Sequence, residues 1–235
     1  MWPVPQIEVL SEEALLLRFG ESIESSVNAR VHAAAARLRE QLPGVECVPA
    51  YASLLLRFDP AQWGDSDPTT SHQHVSERVM AALRELPDRA DHAREVNIPV
   101  LYGGEVGPDL ATVAAHVGLS CGEVIARHSA AAYRVAMLGF APGFPYLLGL
   151  DPALAMPRRA DPRLSVPAGS VAIGGSQTGI YPQALPGGWQ LIGRTPLGLF
   201  DLQATSPSLL QPGDRVRFRV IDEDEYQRLA ARASR

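Results

Sequence analysis

The run Ser165–Pro196, SVPAGSVAIGGSQTGIYPQALPGGWQLIGRTP, holds seven glycines, four prolines and one charged residue, Arg194. Glycine lets backbone amides approach a ligand closely, and proline stiffens a turn. Just upstream, GFAPGFPY (Gly139–Tyr146) places Phe140, Phe144 and Tyr146 on a proline-stiffened loop, and PRRADPR supplies Arg158, Arg159 and Arg163. Aromatics on rigid turns beside arginines suit a pocket for an anionic or amide ligand. The competing reading is aromatics plugging the end of a β-barrel, with the arginines in solvent. GGSQTG has the glycines of a phosphate loop but not its lysine. It also misses the nucleophile elbow G-x-S-x-G, because Thr178 stands where the last glycine belongs. Tight turns at barrel corners explain the same residues.

All 21 basic residues are arginine. The chain can therefore form no Walker lysine, no Schiff base and no lysine-linked cofactor, and it carries no biotin. Of the six histidines only His72 and His74 are close, and no carboxylate or cysteine stands at ligand spacing, so no metal site is expected. His128 is the one histidine placed for acid–base work, with a satisfied structural histidine as the alternative.

The elements that must position these residues fall in two parts. Residues 1–93 read as a small α+β domain. IEVLS and EALLLRFG form a hairpin, and a helix over 22–42 carries Val27, Val31, Ala34, Leu38 and Leu42 at three- and four-residue steps before Pro43-Gly44. VECVPA and SLLLRFD are strands, and a second helix spans 72–86. The order ββαββα, closed by a strand at REVNIPVLY, predicts a two-layer sandwich of ferredoxin-like type. Residues 94–235 begin with YGGEVGPDL, which turns into a helix with Pro108 at its first position and Gly118 at its stop. Ser120 and Glu123 form a capping box for a helix bearing His128. Beyond Gly139 short strands alternate with Gly/Pro turns, the pattern of a closed β-barrel or sandwich. In RVRFRVID, Arg215, Arg217 and Arg219 alternate with apolar residues, and the C-terminal DEDEYQRLAARASR predicts a solvated helix.

Net charge is −5 and no basic run could track a phosphate backbone, so nucleic acid is not an expected partner. No window approaches the roughly 18 apolar residues of a membrane span, and MWPVPQIEVL lacks the regions of a signal peptide. Cys47 and Cys121 lie far apart, which suits a reducing cytoplasm.

GFAPGFPYL, RLSVPAGSV, QTGIYP, PGGWQLIGRTP and the earlier YGGE-GPDL together resemble the B-subunit family of 5-oxoprolinase, also known as allophanate hydrolase subunit 1. That family includes an inhibitor of a sporulation histidine kinase. Departures are mild: Gly174-Gly175-Ser176 replaces a commoner IAG-x, and Ala184-Leu185 precedes PGGW where serine is usual. The resemblance implies a ferredoxin-like N-terminal domain, a cyclophilin-like barrel, a paired C-type subunit with a related barrel, and a third subunit. Together these open 5-oxoproline to L-glutamate with ATP. Behind this leading reading the resemblance leaves two alternatives: a protein that inhibits a histidine kinase, and half of a biotin-dependent carboxyltransferase acting on urea or allophanate.

A lactam is an unreactive amide, and phosphorylating its oxygen makes a leaving group. Such a site needs cations and oxyanion donors. On this resemblance Arg159, Arg163 and Arg194 are the expected clamps. Backbone N–H groups of Ala168, Gly169, Ser170, Gly187 and Gly188 are the expected donors. Gln177, Thr178 and Tyr181 are expected to orient the amide, with Phe144, Tyr146 and Trp189 lining the site. Glu105 and His128 are expected to give acid–base help.

Overall fold

The computed structural model describes residues 4–64, 68–84 and 93–233. The chain divides into two compact units, Met1–His92 and Ala93–Arg235.

In the first unit β1 (Gln6–Ser11) and β2 (Ala14–Arg18) form the expected hairpin. With β3 (Glu46–Pro49) and β4 (Ser53–Arg57) they make an antiparallel sheet of order β1-β2-β4-β3. The period-two pattern decides which face is covered. Leu15 and Leu17 of β2 stand opposite Leu56 and Leu54 of β4, all with no exposed surface. Helices α1 (Ser25–Gln41) and α2 (Pro68–Arg84) cover that face through Val31, Ala34, Leu38, Val75 and Val79. The second helix starts at Pro68, earlier than expected, and its expected end at Leu86 lies outside the described residues.

One strand is misplaced by sequence reasoning. REVNIPVLY does not close this sheet. It is β5 (Glu95–Tyr102), a central strand of the second unit. Ile98, Pro99 and Val100 are buried in succession, so the strand must be covered on both faces. A parallel pairing with β13 (Arg215–Val220) provides its neighbour, in the register Val96↔Val216 to Val100↔Val220.

The second unit contains α3 (Leu110–Val117), α4 (Cys121–Ala130), β6 (Tyr133–Leu138), β7 (Pro145–Leu148), β8 (Arg163–Val166), β9 (Ser170–Gly174), β10 (Gln177–Ile180), β11 (Leu185–Gly187) and β12 (Gln190–Arg194). After β13 comes α5 (Glu223–Ala233). Seven strands close into a barrel in the order β10-β7-β6-β13-β5-β12-β9, while β8 and β11 form a separate two-stranded ribbon. Gly175, at φ 66°, and Ser176 turn β9 into β10, a two-residue hairpin whose first position demands glycine. On β13 Val216 and Phe218 are buried while the arginines face outward.

Gly118 ends α3 in the left-handed conformation. The residue at the start of α3 is Asp109, so Pro108 stands outside the helix rather than at its first turn. Both hydrogen bonds of the capping box on α4 form: Glu123 N–H donates to Ser120 Oγ at 3.2 Å and Ser120 N–H to Glu123 Oε2 at 2.8 Å. Ser120→Ala is expected to cost about 1 kcal/mol, read as a lower midpoint in urea with an unchanged slope.

Candidate functional site

Successive residues of β9 serve two clusters. Val171 and Ile173 join the barrel interior, whereas Ala172 joins Phe144, Val166, Tyr181, Trp189 and Leu191 in a second cluster. Alternation along a strand puts that second cluster on the barrel's outer wall. The glycines of the run now have a reason. A Cβ on Gly174 would stand 2.6 Å from the Trp189 indole, and one on Gly179 2.8 Å from the Pro145 carbonyl. Phe144 is the hub, with ring centroids 5.0 Å from Tyr146, 5.2 Å from Tyr181 and 5.7 Å from Trp189. Phe140 meets Phe144 edge-on at 5.4 Å, but is 61% exposed and held at φ 70°. Gly174→Ala is expected to lever Trp189 off the wall, costing about 1–3 kcal/mol. In a background lacking the other two tryptophans, Trp189 emission then shifts to the red.

Arginines rim this aromatic wall. The Arg158 guanidinium lies 5.7 Å from the Trp189 ring centre, a cation–π distance. Arg163 Nη2 donates to Asp109 Oδ1 at 2.8 Å, and Arg159 Nη1 approaches the same oxygen at 3.5 Å. The other carboxylate oxygen, Oδ2, accepts the Leu191 N–H at 2.7 Å, while Asp109 N–H donates to the Leu191 carbonyl at 2.9 Å. Asp109 is buried and so ties the arginine loop to β12. Burial raises the Tyr181 hydroxyl pKa, opposed by a hydrogen bond from the Trp189 backbone and by the charges of Arg158 and Arg163. Burial likewise raises Tyr146, against the pull of Arg158. Arg158 therefore acts on both tyrosines, and Arg163 on Tyr181.

His128 sits elsewhere. It has no exposed surface, stacks on Phe218 at 4.6 Å and packs against Tyr133 in the barrel core. The Thr178 hydroxyl donates to the Ala172 carbonyl at 2.9 Å, so its oxygen accepts from His128 Nε2–H at 3.0 Å. That fixes the tautomer, and Nδ1 accepts the Tyr102 hydroxyl at 2.8 Å. Burial lowers the His128 pKa to about 3 and pushes Tyr102 well up.

A family model described as "Carboxyltransferase domain, subdomain C and D" matches residues 5–210. The 5-oxoprolinase B-subunit of Bacillus subtilis (strain 168) is 49% identical over 229 residues, covering 94% of this chain and 95% of that one. The chain belongs to the 5-oxoprolinase B-subunit family. The protein of the same name from Escherichia coli O157:H7 is 45% identical over 210 residues, 89% of this chain and 93% of its own. Among solved structures, TTHA0988 matches with a TM-score of 0.75 at 42% identity, over 89% of this chain but only 40% of that longer chain. The urea amidolyase of K. lactis matches at 21% identity and a TM-score of 0.70, over 95% of this chain and 15% of its own. That likeness is one of fold alone, and the carboxyltransferase-domain description rests on the family model.

In this member of the 5-oxoprolinase B-subunit family the expected site residues do not all converge. Phe144, Tyr146, Arg159, Arg163, Tyr181 and Trp189 gather at the outer wall, with the Gly187–Gly188 turn against them: a Cβ on Gly187 would meet the Tyr181 hydroxyl, and the Gly188 carbonyl accepts Arg159 N–H at 2.7 Å. Thr178 is a correction, since its hydroxyl is spent inside the barrel on His128 and Ala172. His128 is a second: with both ring nitrogens engaged and no surface exposed, it acts as a core residue and not as an acid or base. Gly169 and Ser170 are a third, because their N–H groups donate to the carbonyls of Tyr181 and Pro167 and are not available to an oxyanion. Ala168 offers its carbonyl to Arg194 Nε at 2.8 Å. Arg194 ends β12, Gln177 begins β10 and Glu105 lies exposed on the turn before α3. Sequence reasoning misses Asp109, since only the fold brings Leu191 and Arg163 to it. Among the described residues no group of three His, Cys, Asp or Glu could hold a metal ion, and no helix is long and apolar enough to cross a membrane.

Proposed function

We propose that this chain is the B-subunit of a cytoplasmic, ATP-dependent 5-oxoprolinase, opening 5-oxoproline to L-glutamate only together with partner subunits. The observation that carries the reading is the near end-to-end likeness to the Bacillus subtilis protein of that name. The outer-wall cluster is consistent with it. Phe144 and Trp189 are buried and back the site, while the partly exposed Tyr146 and the exposed Phe140 offer aromatic surface to a five-membered lactam, and Arg158, Arg159 and Arg163 offer positive charge to its anionic parts. Gln177 is assigned to the amide, Arg194 to developing negative charge and Glu105 to proton transfer.

The glycine-rich run, which has the glycines of a phosphate loop, does not fit a nucleotide's phosphates. The glycine turn at Gly175–Ser176 joins two strands and opens no helix, so it lacks the strand–loop–helix geometry that cradles phosphates. ATP is therefore assigned to the partner subunits. The match to only part of the longer TTHA0988 chain fits joint work with a further domain or a paired subunit. The urea amidolyase likeness concerns fold, so it favours no second reading.

The reading is tested by mixing this chain with its cognate partners and measuring glutamate from 5-oxoproline, with urea as the alternative substrate. Glutamate formation that needs ATP supports it. ATP use driven by urea and not by 5-oxoproline assigns the chain to urea chemistry instead.

A further inference from the structure

Arg163 presents two different edges. Its Nη2 is paired with Asp109, while Nη1 is buried with no hydrogen-bond acceptor among the described residues. An unpaired guanidinium nitrogen out of water is costly, and a carboxylate is the acceptor whose geometry suits its fork. The side chain as a whole keeps 23% of its surface exposed. Arg158 lies close by over Trp189, and both cations are near enough to act on the Tyr181 hydroxyl. Arg159 and Arg163 share the Asp109 carboxylate, and Arg159 Nε also donates to the Asp161 backbone carbonyl at 3.3 Å, so one carboxylate stands against two guanidiniums.

We infer that Arg163 and Arg158, set against the Trp189–Tyr146–Tyr181 wall, form a subsite for the carboxylate of a small cyclic amide acid, with Asp109 as the residue that positions Arg163. The inference rests on the 5-oxoprolinase reading and names which part of the substrate this wall holds: the carboxylate rather than the phosphoryl group. Asp109 achieves this by bridging. One oxygen is fixed to β12 through Leu191 N–H and the other holds Arg163, so the guanidinium plane is set before a ligand arrives.

The test uses the complex reconstituted from the full chain and its cognate partners, with two lactams as substrates: 5-oxoproline, and 2-pyrrolidinone, which lacks the carboxylate. In the wild type 5-oxoproline is expected to win in kcat/KM by about 10- to 100-fold, the worth of a charged hydrogen bond. Arg163→Gln is expected to raise KM for 5-oxoproline by a similar factor, leave KM for ATP within about twofold, and change 2-pyrrolidinone little. Asp109→Asn, which keeps an acceptor for Leu191 N–H, is expected to follow in the same direction by a smaller factor. Arg163→Lys serves where the glutamine variant fails to assemble, and is expected to recover part of the preference. Loss of the carboxylate and loss of Arg163 must be non-additive, a result that general damage to the fold does not produce.

The inference is overturned if the wild type turns over both lactams equally. It is also overturned if Arg163 variants raise KM for ATP alone, or if the two losses simply add. Those outcomes leave the 5-oxoprolinase reading intact. A wild-type complex that forms no glutamate removes that reading itself, and the inference with it.

Discussion

Acidification from pH 7 to pH 4 is expected to destabilise the barrel unit by about 3 kcal/mol through His128 alone. The imidazole is neutral in the folded chain down to about pH 3, because burial disfavours its charged form. In the unfolded chain it takes up a proton below its ordinary value of 6.5. Between these values the unfolded state binds the extra proton, so stability is complete above pH 6.5 and falls steadily toward pH 3. Urea unfolding of the full chain, followed by Trp189 emission, reads the effect as a slope approaching one proton between pH 6 and 4. His128→Gln removes that slope while lowering stability at pH 7, by leaving Tyr102 and Thr178 poorly paired. A slope unchanged in the variant would place the titration on other groups. The carboxylates of Glu123, Glu225 and Asp151, held low by their hydrogen bonds, add to the loss as the pH falls through their ordinary values of 4.5, 4.5 and 3.8, at the acid end of this range and below it.

Asp109→Ala is the second large effect, expected at about 3 kcal/mol. Removing one member of a buried pair costs more than the pair contributes, because the remaining groups stay desolvated. Here the Leu191 N–H would be orphaned in a buried position, at about 1–3 kcal/mol. The arginines would suffer less, since Arg163 and Arg159 keep 23% and 36% of their side-chain surface in water. Asp109→Asn should recover most of the stability but not the guanidinium orientation. A midpoint for the alanine variant within measurement error of wild type would mean that the arginine loop is not anchored through this carboxylate.

Sequence signals are legible where the chemistry is local. The capping box at Ser120–Glu123, the stop at Gly118, the alternating β13 and the helix of Val31 and Leu38 all depend on residues within a few positions of one another. Long-range pairing is not legible. Nothing in REVNIPVLY says that its parallel partner lies about 120 residues downstream, so the strand reads as part of the wrong sheet. The site divides in the same way. Aromatics and arginines near the glycine-rich run are recognisable by type. The alternation that turns Ala172 outward and Thr178 inward, however, becomes decisive only once the barrel closes. A threonine and a histidine of the barrel core thus pass for site residues, and a buried aspartate draws no notice.

The central claim is that this chain is a necessary part of an enzyme that opens 5-oxoproline. Its most direct test is to titrate the purified chain into a fixed amount of its cognate partner subunits and follow glutamate release from 5-oxoproline with ATP. Activity should be near zero without the chain, rise with each addition and saturate at a fixed molar ratio. Partner subunits that release glutamate equally fast with the chain left out would contradict the claim.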